Sequence, residues 1–224
     1  MASKIIAEVR EMIERADKLA AYGLLQKWAA EHGNDKLITQ VLEPILREIG
    51  ERWEREGASL AQGYVMAKVA EDFLVRHAVD RSRNRSDADI KGPVVLGNIE
   101  DDCHALGRRM VGIFLEADGW EVHDLGNDVL ANDFVNEANK IGAKVIGVSA
   151  MMYTTATNIK RLRKEIDQRG LAGKVQLAVG GAVFVLRPEL VEEVGGDGTA
   201  RNAVAAPALF GRLWDEACRR EAAP

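Results

Sequence analysis

The sequence predicts a four-helix bundle followed by a parallel α/β sheet domain, on three observations. Residues 1 to about 80 carry only helical apolar periodicity. Residues 82–93, "SRNRSDADIKGP", are polar and aperiodic. From Pro93 onward, short apolar runs alternate with helical stripes. Such alternation means parallel strands joined by crossover helices, with both sheet faces covered.

The elements follow in order. "IIAEVREMIERA" is one amphipathic helix. "DKLAAYGLLQKWAAEHG" is a second, with Asp17 as N-cap and Gly33 as its stop. "NDKLITQVLEPILREIGERWEREG" is a third, capped by Asn34 and bent at Pro44. "SLAQGYVMAKVAEDFLVRHAVDR" is a fourth, starting at Ser59, and short connections make the four a bundle. The boundaries read as a bundle over 1–84, a linker over 85–92 and a sheet domain over 93–224. Its strands are "PVVLGNI", "WEVHDLG", "AKVIGVSA" and "VQLAVGG", with "GGDGTA" as a weaker fifth. Helices are expected near 105–118, 130–142, 155–169, 187–194 and 203–219. Five strands of this kind take the order 2-1-3-4-5, a Rossmann-like (flavodoxin-like) sheet. Ligands bind where that order reverses, beyond the carboxyl ends of strands 1 and 3.

Composition narrows the function. With 47% hydrophobic and 29% charged residues the chain is an ordinary globular one. A net charge of −5 argues against a nucleic-acid module, and "RSRNR" at 81–85 reads as a solvated linker. No apolar run has the length of a membrane span, and "MASKIIAEVREM" has charges where a signal peptide needs its apolar core. Cys103 and Cys218 form no framework, so a reducing cytoplasm is expected.

The chemistry gathers at the expected switch point. "NIEDDCHALGRRM" places Asp102 and His104 where strand 1 hands over to a helix. Ser149 ends strand 3, Tyr153, Thr154 and Thr155 start the next helix, and Gly180 and Gly181 end strand 4. A glycine pair there lets something flat or bulky approach the backbone. An Asp two residues before a His can accept from one imidazole nitrogen while the other binds a metal. Only one His is on offer, since His32, His77 and His123 lie in other segments. Zinc wants three or four protein ligands. One imidazole suffices for a metal that brings its own equatorial ring, a haem or a corrin. A phosphate-accepting receiver domain is the rival on this fold, with Glu100, Asp101 and Asp102 as its acidic group. It needs an Asp at the end of strand 3, where this chain has Ser149.

Asp102, His104 and Gly107 spell D-x-H-x-x-G. Forty-one residues separate Gly107 from Ser149 of "SAM", and twenty-eight separate Met151 from the Gly180–Gly181 pair. This set resembles the signature of base-off/His-on cobalamin-binding domains, in particular the corrinoid proteins of methyltransferase systems and the cobalamin module of methionine synthase. "EVHDLGNDV" at 121–129 is similar to the family's second strand and loop. The resemblance covers 93 to about 215. It implies that cobalamin is bound with His104 as lower axial cobalt ligand, tuned by Asp102, with the Thr155 hydroxyl completing the relay. It also implies that Ser149, Met151 and Tyr153, with Thr154 beside them, line the channel for the displaced nucleotide tail. Gly180 and Gly181 let the tail pass strand 4, and Gly198 and Thr199 close its site. Asp101 precedes the motif, and Cys103 and Ala105 flank His104 where the family has other residues; all three are expected against the cofactor. Met151 stands where the family usually has Leu, and Cys103 reads as an inert spacer.

The resemblance further implies that the bundle caps the upper corrin face, with Trp53 as the cap aromatic and Tyr64 near it. Light-sensing relatives place Glu-His where this chain has Gly63 and Tyr64, and a DNA-binding segment before the bundle is not expected here. A methyl carrier is therefore the leading expectation, served by methyl-donor and methyl-acceptor methyltransferases and a corrinoid-reactivating protein. Methionine-synthase-like caps have an apolar residue at Ser59 and Pro at Ala61, so this cap matches neither branch. A cobalamin-dependent sensor without methyl transfer is the alternative.

Overall fold

The computed structural model describes residues 2–42, 44, 45, 48, 69 and 91–222. The chain forms two compact units, Met1–Asp80 and Arg81–Pro224.

In the first unit, α1 (Ala2–Glu14) and α2 (Lys18–His32) pack together. Ile5, Val9 and Ile13, four residues apart, are buried, as are Ala21, Leu25 and Trp28 of α2. Asp17 caps α2, its carboxylate accepting the Ala20 N–H at 3.0 Å. Gly33 stops α2 with φ 91° and also opens the next helix, its carbonyl taking the Leu37 N–H at 3.1 Å. The cap expected at Asn34 therefore falls to Gly33, and Asn34 is the first residue of α3 (Asn34–Leu37). The bend expected at Pro44 takes the form of a π turn over Ile38–Leu42. A proline ring crowds the carbonyl four residues back, here within that wider turn. Trp53, near the end of the third expected helix, and the fourth expected helix, with Ser59 and Tyr64, lie outside the described residues except for Val69, which is helical and buried.

The second unit is the alternating one. In chain order it runs β1 (Lys91–Asn98), α4 (Ala105–Ala117), β2 (Trp120–Asp124), α5 (Ala131–Ile141) and β3 (Val145–Ser149). It continues through α6 (Tyr153–Ala156), α7 (Ile159–Gln168), β4 (Gln176–Gly180), α8 (Ala182–Leu186), α9 (Leu190–Glu193) and α10 (Ala206–Glu221). The strand order is β2-β1-β3-β4 with every pairing parallel. Both faces are covered, so the strands read as near-continuous apolar runs. Val95, Ile146 and Leu177 pack on one face with Phe134, Leu162 and Phe184. Val94, Leu96 and Ala178 pack on the other with Leu115, Phe210 and Leu213.

The sheet has four strands, not the five expected. "GGDGTA" makes a single bridge, Gly198 to Ala178, rather than a strand. The Asp197 carboxylate accepts the Leu177 N–H at 2.6 Å, so a side chain occupies part of the β4 edge where a fifth backbone would pair. Three glycines and no β-branched residue before Thr199 also disfavour an extended run. Two further differences are local. The helix expected over 155–169 breaks at Thr157–Asn158 into α6 and α7. The segment after Gly181 forms α8 and α9 on either side of Pro188.

The parallel register sets up the site. Asn98 pairs with Ser149, and Ser149 with Gly180, so the carboxyl ends of β1, β3 and β4 form one row.

Candidate functional site: a buried carboxylate beneath an exposed imidazole

Asp102 follows that row in the loop between β1 and α4. Asp101 before it adopts φ 69°, and its N–H is held by the Asp128 carboxylate at 2.8 Å. The turn sends the Asp102 side chain inward, where it is fully buried. Four donors meet it. Asn98 Nδ2 at 2.8 Å and the His104 N–H at 2.9 Å reach Oδ1; the Met151 N–H at 2.7 Å and Thr155 Oγ1 at 2.9 Å reach Oδ2. Burial alone would push this carboxyl up. The hydrogen bonds from Met151, His104, Asn98 and Thr155 outweigh it and hold the group below the ordinary carboxylate value. Asp102 is thus an anion at neutral pH inside the protein.

His104 sits directly above this anion. Its Nδ1 lies 3.3 Å from Asp102 Oδ1, and its side chain is 52% exposed. A carboxylate beside Nδ1 favours the tautomer with the proton there, which leaves the Nε2 lone pair for a metal. Among the described residues, no group of three or more His, Cys, Asp or Glu could hold a bare metal ion. The donor set thus suits a metal that arrives in its own ring.

Beyond the row lies a cleft of about 220 Å3, walled by β1, β3 and β4, by α4 and by the start of α10. Ser149, Gly107, Gly180 and Gly181 line it. A Cβ added to Gly107 or Gly180 would meet no atom within 4 Å, so both glycines open onto space that a side chain would take. Gly181 differs: φ is 118° and a Cβ would lie 1.9 Å from the Ala150 oxygen, so the chain itself requires glycine there. Gly198 bridges to β4 and Thr199 is exposed; residues 200–203 form the wall on that side. Met151, Tyr153 and Thr154 follow β3 as exposed residues, and Val185 and Leu186, after β4, are also exposed. Large apolar side chains open to water at the end that holds His104 suit a broad ring laid over it. Cys103 is exposed and free, and Ala105 begins α4. Trp53 and Tyr64 are outside the described residues.

Sequence reasoning missed Asn98, Arg108, Asp124 and Asn127. Arg108 is buried on α4 and donates from Nε to Asn98 Oδ1 at 2.7 Å and from Nη2 to Asn127 Oδ1 at 3.2 Å. Its Nη1 pairs with the Asp124 carboxylate. The signal was present. Arg108 shares a helical stripe with Val111, Gly112 and Leu115, and a charge at an apolar position needs buried partners.

The profile of the B12 binding domain matches residues 92–208. The chain is 30% identical over 205 residues to the dimethylamine corrinoid protein of Methanosarcina barkeri, covering 92% of this chain and 95% of that one. It is 31% identical to trimethylamine corrinoid protein 1 of Methanosarcina mazei, over 81% of this chain and 86% of that one. Among solved structures, the Methanosarcina barkeri monomethylamine corrinoid protein superposes with a TM-score of 0.80 at 25% identity, covering 95% of this chain and 100% of that one. The methanol:cobalamin methyltransferase complex MtaBC of the same organism shares the fold, with a TM-score of 0.52 at 20% identity. A profile spanning over half of the chain and a relative aligned along nearly its whole length place this protein in the B12-binding family, among the corrinoid proteins of methyltransferase systems, and make its cofactor a cobalt corrinoid.

Proposed function

We propose that the chain binds cobalamin with His104 as lower cobalt ligand, in place of the cofactor's own nucleotide base, and carries a methyl group between a donor and an acceptor methyltransferase. The observation that carries this reading is the pairing of a fully buried, four-fold hydrogen-bonded Asp102 with a half-exposed His104 ring. When bound, the cobalt would supply a centre that takes up and releases a methyl group, and His104 is the residue that would hold it.

The residues do the rest. Asp102 holds the His104 proton on Nδ1 and leaves the Nε2 lone pair free for the metal. Thr155 and the Met151 N–H keep Asp102 ionised and aimed. The cleft lined by Ser149, Gly107 and Gly180 accepts the displaced nucleotide tail, whose passage needs the space those glycines leave. Met151 and Tyr153, exposed after β3, would stand along the path of the displaced tail.

Relatives named for dimethylamine and trimethylamine support a small methylated compound as the methyl source. A corrinoid-reactivating protein would be a further partner. No helix among the described residues is long and apolar enough to cross a membrane, and Cys103 and Cys218 are free, which fits work in a reducing cytoplasm.

The test is electron paramagnetic resonance of the cobalt(II) form. A nitrogen-split signal that changes from triplet to doublet on 15N-histidine labelling, and is lost in His104→Ala, is expected. A splitting indifferent to either change, or no cobalamin uptake by the wild type, would sink the proposal. Methyl as the upper ligand after anaerobic purification supports the carrier role, and adenosyl opposes it.

A further inference from the structure

Among the described residues two charged side chains are buried, Asp102 and Arg108, and Asn98 stands between them. Asp102 belongs to the expected ligand apparatus. Arg108 does not, yet its guanidinium governs two amides that end on the His104 loop. Asn98 takes the Arg108 Nε–H on its oxygen and turns its Nδ2 to Asp102 Oδ1 at 2.8 Å and to the His104 carbonyl at 3.2 Å. Asn127 takes the Arg108 Nη2–H on its oxygen and turns its Nδ2 to the Cys103 carbonyl at 3.3 Å.

The polarity of this arrangement follows from chemistry. A guanidinium only donates, so each amide must face it with oxygen and must present its NH2 group on the far side. That far side is, in both cases, a carbonyl of the loop. Without the arginine either amide could flip and set oxygen against oxygen. Asp124 anchors the guanidinium and also accepts the Gly126 N–H at 2.9 Å, so the Asn127 loop is held by the same group.

We infer that Arg108 is a positioning residue for the cobalt ligand: through Asn98 and Asn127 it holds the Cys103 and His104 carbonyls and so aims the His104 ring. This rests on the proposed role of His104. It adds a second support to that ligand, through the Cys103 and His104 carbonyls and the Asp102 oxygen that Thr155 does not touch.

The experiment uses the full chain as wild type, Arg108→Met, Arg108→Lys and Asn127→Ala. In the cofactor-free protein, hydrogen exchange of the His104 amide is followed beside the core amides of β1. In protein loaded with cobalt(II) cobinamide, which has no nucleotide tail and so does not fill the cleft, the ratio of histidine-ligated to unligated cobalt is read by paramagnetic resonance. In Arg108→Met the ratio should fall, and the His104 amide should exchange faster, each by about tenfold, with the β1 core unchanged. Lysine should not rescue, since an ammonium cannot present a planar fork to two amides. Asn127→Ala, at an exposed position, should give a loss of about threefold.

An unchanged ligation ratio in Asn127→Ala and in each Arg108 variant that folds would overturn the inference, and so would full rescue by lysine. Should no Arg108 variant fold, Asn127→Ala decides it alone. Failure of the wild type to show histidine ligation would refute the role of His104 instead, and the exchange of the cofactor-free loop would still judge the arginine.

Discussion

Replacing Asp102 with asparagine tests the core of the site most directly, because the change is nearly isosteric. Asp102 accepts from four donors. An asparagine has one oxygen, which can keep Asn98 and the His104 N–H. Its NH2 group then faces the other two donors. Thr155 adapts, since its hydroxyl can turn to the Met152 carbonyl 3.0 Å away and accept from the new amide. The Met151 N–H cannot adapt and is left buried against another donor. One orphaned donor costs about 1–3 kcal/mol, and the loss of charge from the remaining bonds adds about 1 kcal/mol, so Asp102→Asn should lose about 2–4 kcal/mol at pH 7. The pH dependence has a definite sign. The folded carboxyl titrates below its unfolded value of 3.8, so its stabilisation is complete above that value and is lost as pH falls through the folded value. Urea unfolding of the cofactor-free protein at pH 7, 5 and 3.5 should therefore show a constant gap between wild type and variant down to pH 5 and a smaller one at about pH 3.5. A gap below about 0.5 kcal/mol at pH 7, or one already shrinking between pH 7 and 5, would refute the reasoning.

Gly107→Ala should stabilise the cofactor-free protein by about 0.5–1 kcal/mol, because the residue is helical and its Cβ meets nothing, while cobalamin affinity falls; calorimetry and a binding titration check both signs. Gly180→Val should weaken cobalamin binding at least tenfold and leave cobinamide, which lacks the tail, within about twofold, as read by absorbance titration of both corrinoids. Gly181→Ala should cost about 2–4 kcal/mol in urea unfolding without any ligand, since both its φ and the Ala150 oxygen forbid a side chain.

How legible the molecule was depended on how local each signal is. Parallel strands buried on both faces announce themselves as apolar runs, and β1 to β4 were readable from "PVVLG", "WEV", "VIGVS" and "LAVGG". Asp102 and Thr155, 53 residues apart, were readable as partners because a family pattern links them; nothing in their spacing alone brings them to 2.9 Å. Arg108 was legible as a charge on the apolar stripe of α4, but its partner Asn98 looks like an ordinary strand end until the tertiary fold removes water from both and makes them satisfy one another. The fifth strand failed because edge pairing is settled by competition for a few backbone groups, and Asp197 won that competition with a side chain. Helix α8 escaped notice because "AVFVL" has no polar face, so five residues carry no period.

That same Asp197 has a wider consequence. An open strand at the end of a sheet is a template on which another chain can add itself, and a carboxylate already bound to the Leu177 N–H puts a negative charge where such a strand would lie. The Asp197 N–H returns to the Leu177 carbonyl at 2.8 Å, and Arg163 closes over the carboxylate at 3.1 Å. The far end of the sheet is thus protected from edge-to-edge aggregation by two atoms of one residue, the Asp197 nitrogen and Oδ2.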